Sequence, residues 1–282
     1  MANEARPGAQ DAPQLTLNDG SPISTVGFGT FKVDDEIAKD TVLRALDTGY
    51  RLIDTARMYG NERGVGAAVR ESGISRSDIF VTSKLWNDAQ SYDAALAAFE
   101  QTFSDLDVAY LDLYLIHWPT PAAGTYVEAW KALEEIAASG QCRSIGVSNF
   151  QPEHLDRLAE ESGVVPAVNQ IEVHPYFAQN DIRVANAERG IVTQAWSPIA
   201  RGRLLDDQTL WSISAPLDKT PTQVALRWHL QRGDIAIPKS TTPERIIENF
   251  DIFDFELSER EMAKIDGLDR NQRLGPHPNE FN

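Results

Sequence analysis

Short apolar runs, many of them β-branched, recur along the chain with helical patterns between them, and this alternation constrains the fold more than any other feature. The runs are Thr25 to Gly29, Arg51 to Ile53, Ile79 to Thr82, Leu111 to Ile116, Ser144 to Val147, Ala167 to Ile171, Ile191 to Trp196 and Ile235 to Pro238. Between them, Leu96, Phe99, Phe103 and Leu106 step by three, four and three along one face of a helix, and Val127, Trp130, Leu133 and Ala137 repeat the pattern. A glycine stands where a helix is expected to stop, at Gly49, Gly73, Gly140, Gly163, Gly190 and Gly233. Repetition of strand, helix, glycine and strand implies a parallel sheet, either open and doubly wound or closed as a (β/α)8 TIM barrel.

The open sheet carries Gly-x-Gly-x-x-Gly after its first strand, but here Gly27-Phe28-Gly29 leads into Thr30, Phe31 and Lys32 without the third glycine. The closed barrel is favoured. Eight units of about 30 residues use about 240 of the 282 residues, which is the usual size of that fold. Leu15 to Ser24, centred on Asn18, Asp19 and Gly20, predicts a hairpin ahead of it. No Pro/Gly/Ser-rich linker divides the chain, so we expect one domain over 1–282, with residues 1–13 flexible. Met1 to Gln14 is polar and does not resemble a signal peptide, and no run approaches the roughly 20 apolar residues of a membrane span.

Composition narrows the partners. A formal net charge of −16 sets the surface against phosphate backbones and anionic membranes, which excludes a general nucleic-acid or lipid-surface binder. The lone Cys142 forms no internal disulfide and lacks a partner for a thiolate metal site, so no metal is expected and a reducing, cytoplasmic compartment is.

In a barrel the active site forms at the carboxyl ends of the strands. The residues expected there are Asp54, Ser83 and Lys84, His117, Ser148 and Asn149, Asn169 and Gln170, Trp196, then Lys239 and Ser240. Each alone suits a cap, a turn or a solvated charge; structural capping does not, however, require an Asp, a Lys and a His on neighbouring strands. Lys84 is expected to lower the Tyr59 pKa and make the phenol a general acid, with Asp54 holding the lysine and His117 donating to a carbonyl oxygen. A Schiff-base role for Lys84 or Lys239 is the competing chemistry. Ile237 to Arg245 runs from a strand into a helix, with Thr242 as N-cap and Pro243 as first helical residue, and Lys239, Ser240 and Arg245 flank an anion site at that helix start. The long stretch around Arg201 to Lys219 is expected to be a loop folding over a phosphate-bearing ligand.

Three segments give the chain a family resemblance over nearly its whole length. Gly49-Tyr50-Arg51-Leu52-Ile53-Asp54-Thr55-Ala56 is followed by Tyr59, Gly60, Asn61, Glu62 and Gly66; Gly146-Val147-Ser148-Asn149-Phe150 comes next; Ile237-Pro238-Lys239-Ser240 precedes Arg245, Glu248 and Asn249. In order and spacing they resemble the aldo-keto reductases. The resemblance implies a (β/α)8 barrel with an N-terminal β-hairpin closing its floor, and an NADPH cofactor, with NADH weaker, bound without a Rossmann domain. It implies Tyr59 as proton donor, Lys84 and Asp54 as the groups that tune it, and His117 as the residue orienting the carbonyl.

For the cofactor, the resemblance assigns Ser148, Asn149 and Gln170 to the carboxamide and Trp196 to stacking on the nicotinamide. Ser197, Ile199, Arg201 and Gly202 match the loop over the pyrophosphate, Lys239, Ser240, Thr241 and Arg245 the 2′-phosphate cradle, and Glu248 and Asn249 the adenine contacts. Phe31, Met58, Trp86 and Trp118 match positions lining the substrate pocket. Trp196 in place of a commoner Tyr, with the short tail from Arg273 to Pro278, resembles the bacterial 2,5-diketo-D-gluconate reductase branch. The activity implied is NADPH-dependent reduction of aldehydes and ketones by a monomer; the alternative is a barrel that keeps the cofactor in a regulatory role.

Overall fold

The computed structural model describes residues 12–282, so most of the segment expected to be flexible lies outside the described residues. Within it, residue 13 is tied down, because the Pro13 carbonyl accepts from Thr25 N at 2.9 Å. Strands β1 (Gln14–Thr16) and β2 (Pro22–Ser24) pair antiparallel around the expected turn, where Leu17 N donates to Ser21 O at 2.9 Å and Gly20 takes a φ of 88°.

Eight parallel strands then follow in sequence order: β3 (Gly27–Gly29), β4 (Leu52–Asp54), β5 (Phe80–Leu85), β6 (Leu111–Ile116), β7 (Cys142–Ser148), β8 (Val168–Glu172), β9 (Val192–Trp196) and β10 (Ile235–Ile237). The seam between β10 and β3 is bridged at Val26 and Ala236, with Ala236 N on Thr25 O and Gly29 N on Pro238 O, both at 3.0 Å. The closed barrel expected from the missing glycine is the fold observed. The hairpin's Leu17 and Ile23 pack with Leu52, Leu113, Leu115, Val168 and Ile235, an apolar plug at the amino ends of the strands.

Helices α1 (Asp35–Thr48), α2 (Glu62–Glu71), α3 (Tyr92–Leu106), α4 (Tyr126–Ala138), α5 (Pro152–Glu161), α6 (Asn180–Glu188), α7 (Gln208–Ser214), α8 (Pro221–Gln231), α9 (Pro243–Phe250) and α10 (Glu259–Asp266) surround the barrel. Phe99 and Leu106 of α3 and Trp130 and Leu133 of α4 are buried, as their spacing predicts. Two motif glycines are explained by close approach. A Cβ on Gly66 would sit 1.8 Å from Leu106 O, and one on Gly146 would sit 2.6 Å from Val168 O.

Three expectations are corrected. The run ending at Thr82 continues as β5 to Leu85, because Ser83, Lys84 and Leu85 keep pairing with Tyr114, Leu115 and Ile116 whatever their polarity. Gly163 does not end α5; Ser162 does, with extended backbone at φ −144°. The stretch from Arg201 to Lys219 is no bare loop: Asp207 caps α7 by accepting from Thr209 N and Leu210 N, and Leu210 and Ile213 are buried.

Candidate active site

Side chains alternate in and out along a strand, and that period decides which rim residues enter the barrel. Asp54, Lys84, Ser148, Gln170 and Trp196 point the same way, at the carboxyl ends of five strands. Ser83 and Asn169 are one residue out of phase and leave the site. Ser83 Oγ donates to the buried Glu62 carboxylate at 2.5 Å behind the barrel, while Asn169 Nδ2 bonds Phe150 O and Asn186 Oδ1. Both had been expected at the rim; a shift of one residue turns a side chain to the other face.

Lys84 is fully buried, and its Nζ donates to Asp54 Oδ1 at 2.6 Å and Thr55 O at 2.8 Å. A lysine so committed is a poor Schiff-base nucleophile. Tyr59 ends a short 3-10 turn, Arg57–Tyr59, that Gly60 closes in the left-handed region at φ 68°, which any other residue adopts less readily. Its ring centroid lies 5.1 Å from Lys84 Nζ and 5.8 Å from the His117 ring.

The electrostatics contradict one expectation. The Tyr59 pKa is not lowered but raised well above the ordinary phenol range, by burial first and by the Asp54 carboxylate second. Lys84 meets Asp54 at contact distance, so the phenol feels a compensated pair instead of a bare cation, and desolvation dominates. Burial also pulls Lys84 below the ordinary lysine range, against the pull of Asp54. His117, buried beside them, is driven well below the imidazole range by burial and by Lys84. Phenol and imidazole are therefore both neutral, and both can donate a hydrogen bond to one oxygen.

Next to this centre the amides interlock. Gln170 Nε2 donates to Asp54 Oδ2 and to Gln194 Oε1, each at 2.7 Å. Ser148 Oγ donates to Gln170 O at 2.8 Å, and Asn149, left-handed at φ 65°, donates from Nδ2 to His117 O at 2.9 Å. Asn149 Oδ1 accepts from the indole Nε1 of Trp196 at 2.8 Å, which sets the plane of a half-buried ring.

The cationic end is built differently. After β9 the backbone is left-handed at Ser197, Ala200, Arg201 and Gly202, with Ile199 half-buried between them. Arg201, Thr241 and Arg245 are exposed, whereas Ser240 is buried and its Oγ accepts from Thr242 N at 3.0 Å, just ahead of Pro243 at the start of α9. Lys239 is held below the ordinary lysine range by burial and then by Lys32, a cation that the motifs did not flag. Glu248 Oε1 accepts from Thr220 Oγ1 at 2.7 Å, and Asn249 is buried beside it. Among the described residues, Lys32, Arg201, Lys239 and Arg245 make no ion pair. Four cations that make no ion pair among the described residues of a chain of −16, two of them at or just before the start of α9, fit a phosphate-bearing nicotinamide cofactor.

Aromatic groups rim the centre. Phe31 packs on Tyr59 at 5.1 Å, Trp86 on His117 at 5.0 Å, and Met58 stands exposed on the Tyr59 turn. Trp118 is covered by Phe281 at 4.7 Å, which also reaches Trp86 at 6.4 Å. Phe281 escaped the motif comparison because it comes from the last two residues of the chain. The tail that carries it is tied at its start by Glu172, fully buried at the end of β8, whose carboxylate accepts from Leu274 N at 2.7 Å, Gly275 N at 2.9 Å and His174 Nε2 at 3.0 Å, and beside Phe281 by Asn279 Nδ2 on Glu153 and Ala122 N on Asn282 Oδ1, both at 2.8 Å. A buried carboxylate between strand six of the barrel and the tail is the signal that was present.

Comparison with known proteins agrees with this geometry. The chain is 47% identical to the glyoxal reductase of Bacillus subtilis (strain 168) over 268 residues, covering 95% of this chain and 96% of that protein. It is 43% identical over 269 residues to the methylglyoxal reductase DkgA of Escherichia coli (strain K12), covering 95% and 97%. The crystal structure of a Gox0644 mutant in complex with NADPH superposes with a TM-score of 0.93 at 43% identity, covering 97% of this chain and all of the other. The pattern of the aldo/keto reductase family matches residues 25–270, and the chain belongs to that family.

Proposed function

We propose that the protein reduces small aldehydes and α-dicarbonyls, of the glyoxal and methylglyoxal kind, with NADPH. The observation that carries this is the buried Asp54–Lys84 pair beside two neutral donors, Tyr59 and His117, under a partly open aromatic rim. Bound NADPH would supply the hydride for the carbonyl carbon. His117 holds the carbonyl oxygen by a hydrogen bond, and Tyr59 passes its phenolic proton to that oxygen as negative charge develops there. Lys84, kept in place by Asp54 and Thr55 O, stabilises the tyrosinate left behind.

Ser148, Asn149 and Gln170 hold the cofactor's carboxamide, and Trp196 lies against its ring. Ser197, Ile199, Arg201 and Gly202 cover the pyrophosphate; Lys239, Ser240, Thr241 and Arg245 hold the 2′-phosphate; Glu248 and Asn249 meet the adenine. Phe31, Met58, Trp86 and Trp118, joined by Phe281, line a small pocket with one oxyanion site, which suits a short dicarbonyl and also 2,5-diketo-D-gluconate. Mixing the purified protein with NADPH and glyoxal, methylglyoxal, 2,5-diketo-D-gluconate or a simple aldehyde should bleach the reduced-nicotinamide absorbance. Tight NADPH binding with no turnover of any carbonyl would favour the regulatory reading instead.

A further inference from the structure

Gln194 belongs to none of the motifs, yet it sits fully buried on β9, two residues before Trp196 and therefore on the same inward face. Its Oε1 accepts one proton of the Gln170 amide at 2.7 Å, and the other proton goes to Asp54 Oδ2 at 2.7 Å. Asp54 Oδ1 is occupied by Lys84. Gln170 thus has both donors committed, and the only polar atom its side chain can still offer is Oε1, an acceptor. A terminal amide turns over readily about its last torsion unless its partners demand one orientation. Here an amide oxygen from the neighbouring strand β9 and a carboxylate from β4 across the barrel demand the same one. Among the described residues the buried Nε2 of Gln194 has no partner, which is unfavourable for the fold and points to a role other than stability.

We propose that Gln194 is a positioning residue. It locks the Gln170 amide so that Oε1 is presented to the donor N–H of the nicotinamide carboxamide, while Asp54 receives a neutral donor on the oxygen Lys84 does not use. This rests on the reading of Gln170 as a cofactor contact and Asp54 as the counter-ion of Lys84. An apolar residue of the same length would leave Asp54 as the only acceptor for Gln170 Nε2, with the second N–H unpaired and Oε1 held toward the cofactor from one side only.

The test compares Gln194→Met, isosteric but without an acceptor, with Gln194→Glu, which keeps the acceptor oxygen. Calorimetric titrations use NADP+ and 2′,5′-ADP, the latter lacking the nicotinamide. We expect Gln194→Met to weaken NADP+ by about threefold to tenfold and to leave 2′,5′-ADP unchanged. Gln194→Glu should bind both ligands as the unsubstituted protein does. In the ligand-free crystal structure of Gln194→Met, the Gln170 amide should keep Asp54 but swing away from its present plane. Equal weakening of both ligands, or NADP+ binding unchanged with the Gln170 amide unmoved, overturns the proposal. An unsubstituted protein that binds no NADP+ overturns the cofactor reading, and the crystal structure still decides for or against Gln194. Should Gln194→Met not fold, hydrogen exchange of the Gln170 side-chain amide in the unsubstituted protein decides: both protons should be protected, and rapid exchange of either refutes the lock.

Discussion

The two ends of the proposed cofactor groove are built on opposite plans. Around Asp54, Lys84, Ser148, Asn149, Gln170 and Trp196, almost every polar atom already has a partner, at distances of 2.6–3.1 Å, and all but the half-buried Trp196 are buried. At Lys32, Arg201, Lys239, Thr241 and Arg245 the groups are half-buried or exposed, and the cations make no ion pair among the described residues. The first end is fixed by its internal bonds; the second offers exposed charge, which suits the phosphate contacts proposed for it. Reaction geometry tolerates displacement poorly, whereas a charged anchor works through long-range attraction, so rigidity is concentrated where the chemistry is.

The contrast can be broken by substitution, and the largest effect should come from the rigid end. Tyr59→Phe should lower kcat by about 10²–10⁴-fold with NADPH binding retained, as measured in steady-state and binding assays. Full activity would remove Tyr59 from the chemistry. Lys84→Met strands the Asp54 carboxylate in the barrel and should cost about 3–5 kcal/mol of stability in urea unfolding. A loss within the range of ordinary surface changes would mean that Asp54 takes up a proton or another partner.

At the cationic end, Arg245→Ala should leave unfolding unchanged and narrow the preference for NADPH over NADH by about tenfold, read as the ratio of the two KM values. An unchanged ratio would place the 2′-phosphate elsewhere. The smallest effect concerns pH. Burial and Lys84 hold His117 below the imidazole range in the fold, while the unfolded chain takes up its proton near pH 6.5, at about the ordinary value. The stability tied to His117 is therefore complete above about pH 6.5 and falls as the pH drops below it, by at most about 1.4 kcal/mol per pH unit. His117→Gln should flatten that part of the denaturation-against-pH curve; the same slope in both proteins would show that folded His117 accepts a proton.

Much of the proposed site was legible because its residues sit in long local motifs: Asp54 and Tyr59 in one, Ser148 and Asn149 in another, Lys239 and Arg245 in a third. Ser83 and Asn169 were misplaced although the information was at hand, since counting one residue from Lys84 and from Gln170 turns each outward. Gln194 and Glu172 belong to no motif, although the same two-residue count from Trp196 and from Gln170 turns both inward. The tail's place over Trp118 depends on partners more than a hundred positions earlier, with Leu274 and Glu172 separated by 102 and Asn279 and Glu153 by 126.

What the sequence determined by itself is the order of strands and helices, the closed barrel, and which strand ends carry reactive side chains, because hydrophobic period and turn chemistry act over a few residues at a time. The tertiary structure alone decided which atoms meet and with what electrostatic sign. Gln170 finds Asp54 across 116 positions, and the Tyr59 pKa rises although a lysine lies nearby. Desolvation and pairing depend on distances through space, and closing the barrel sets those distances only after residues far apart in the chain have come together.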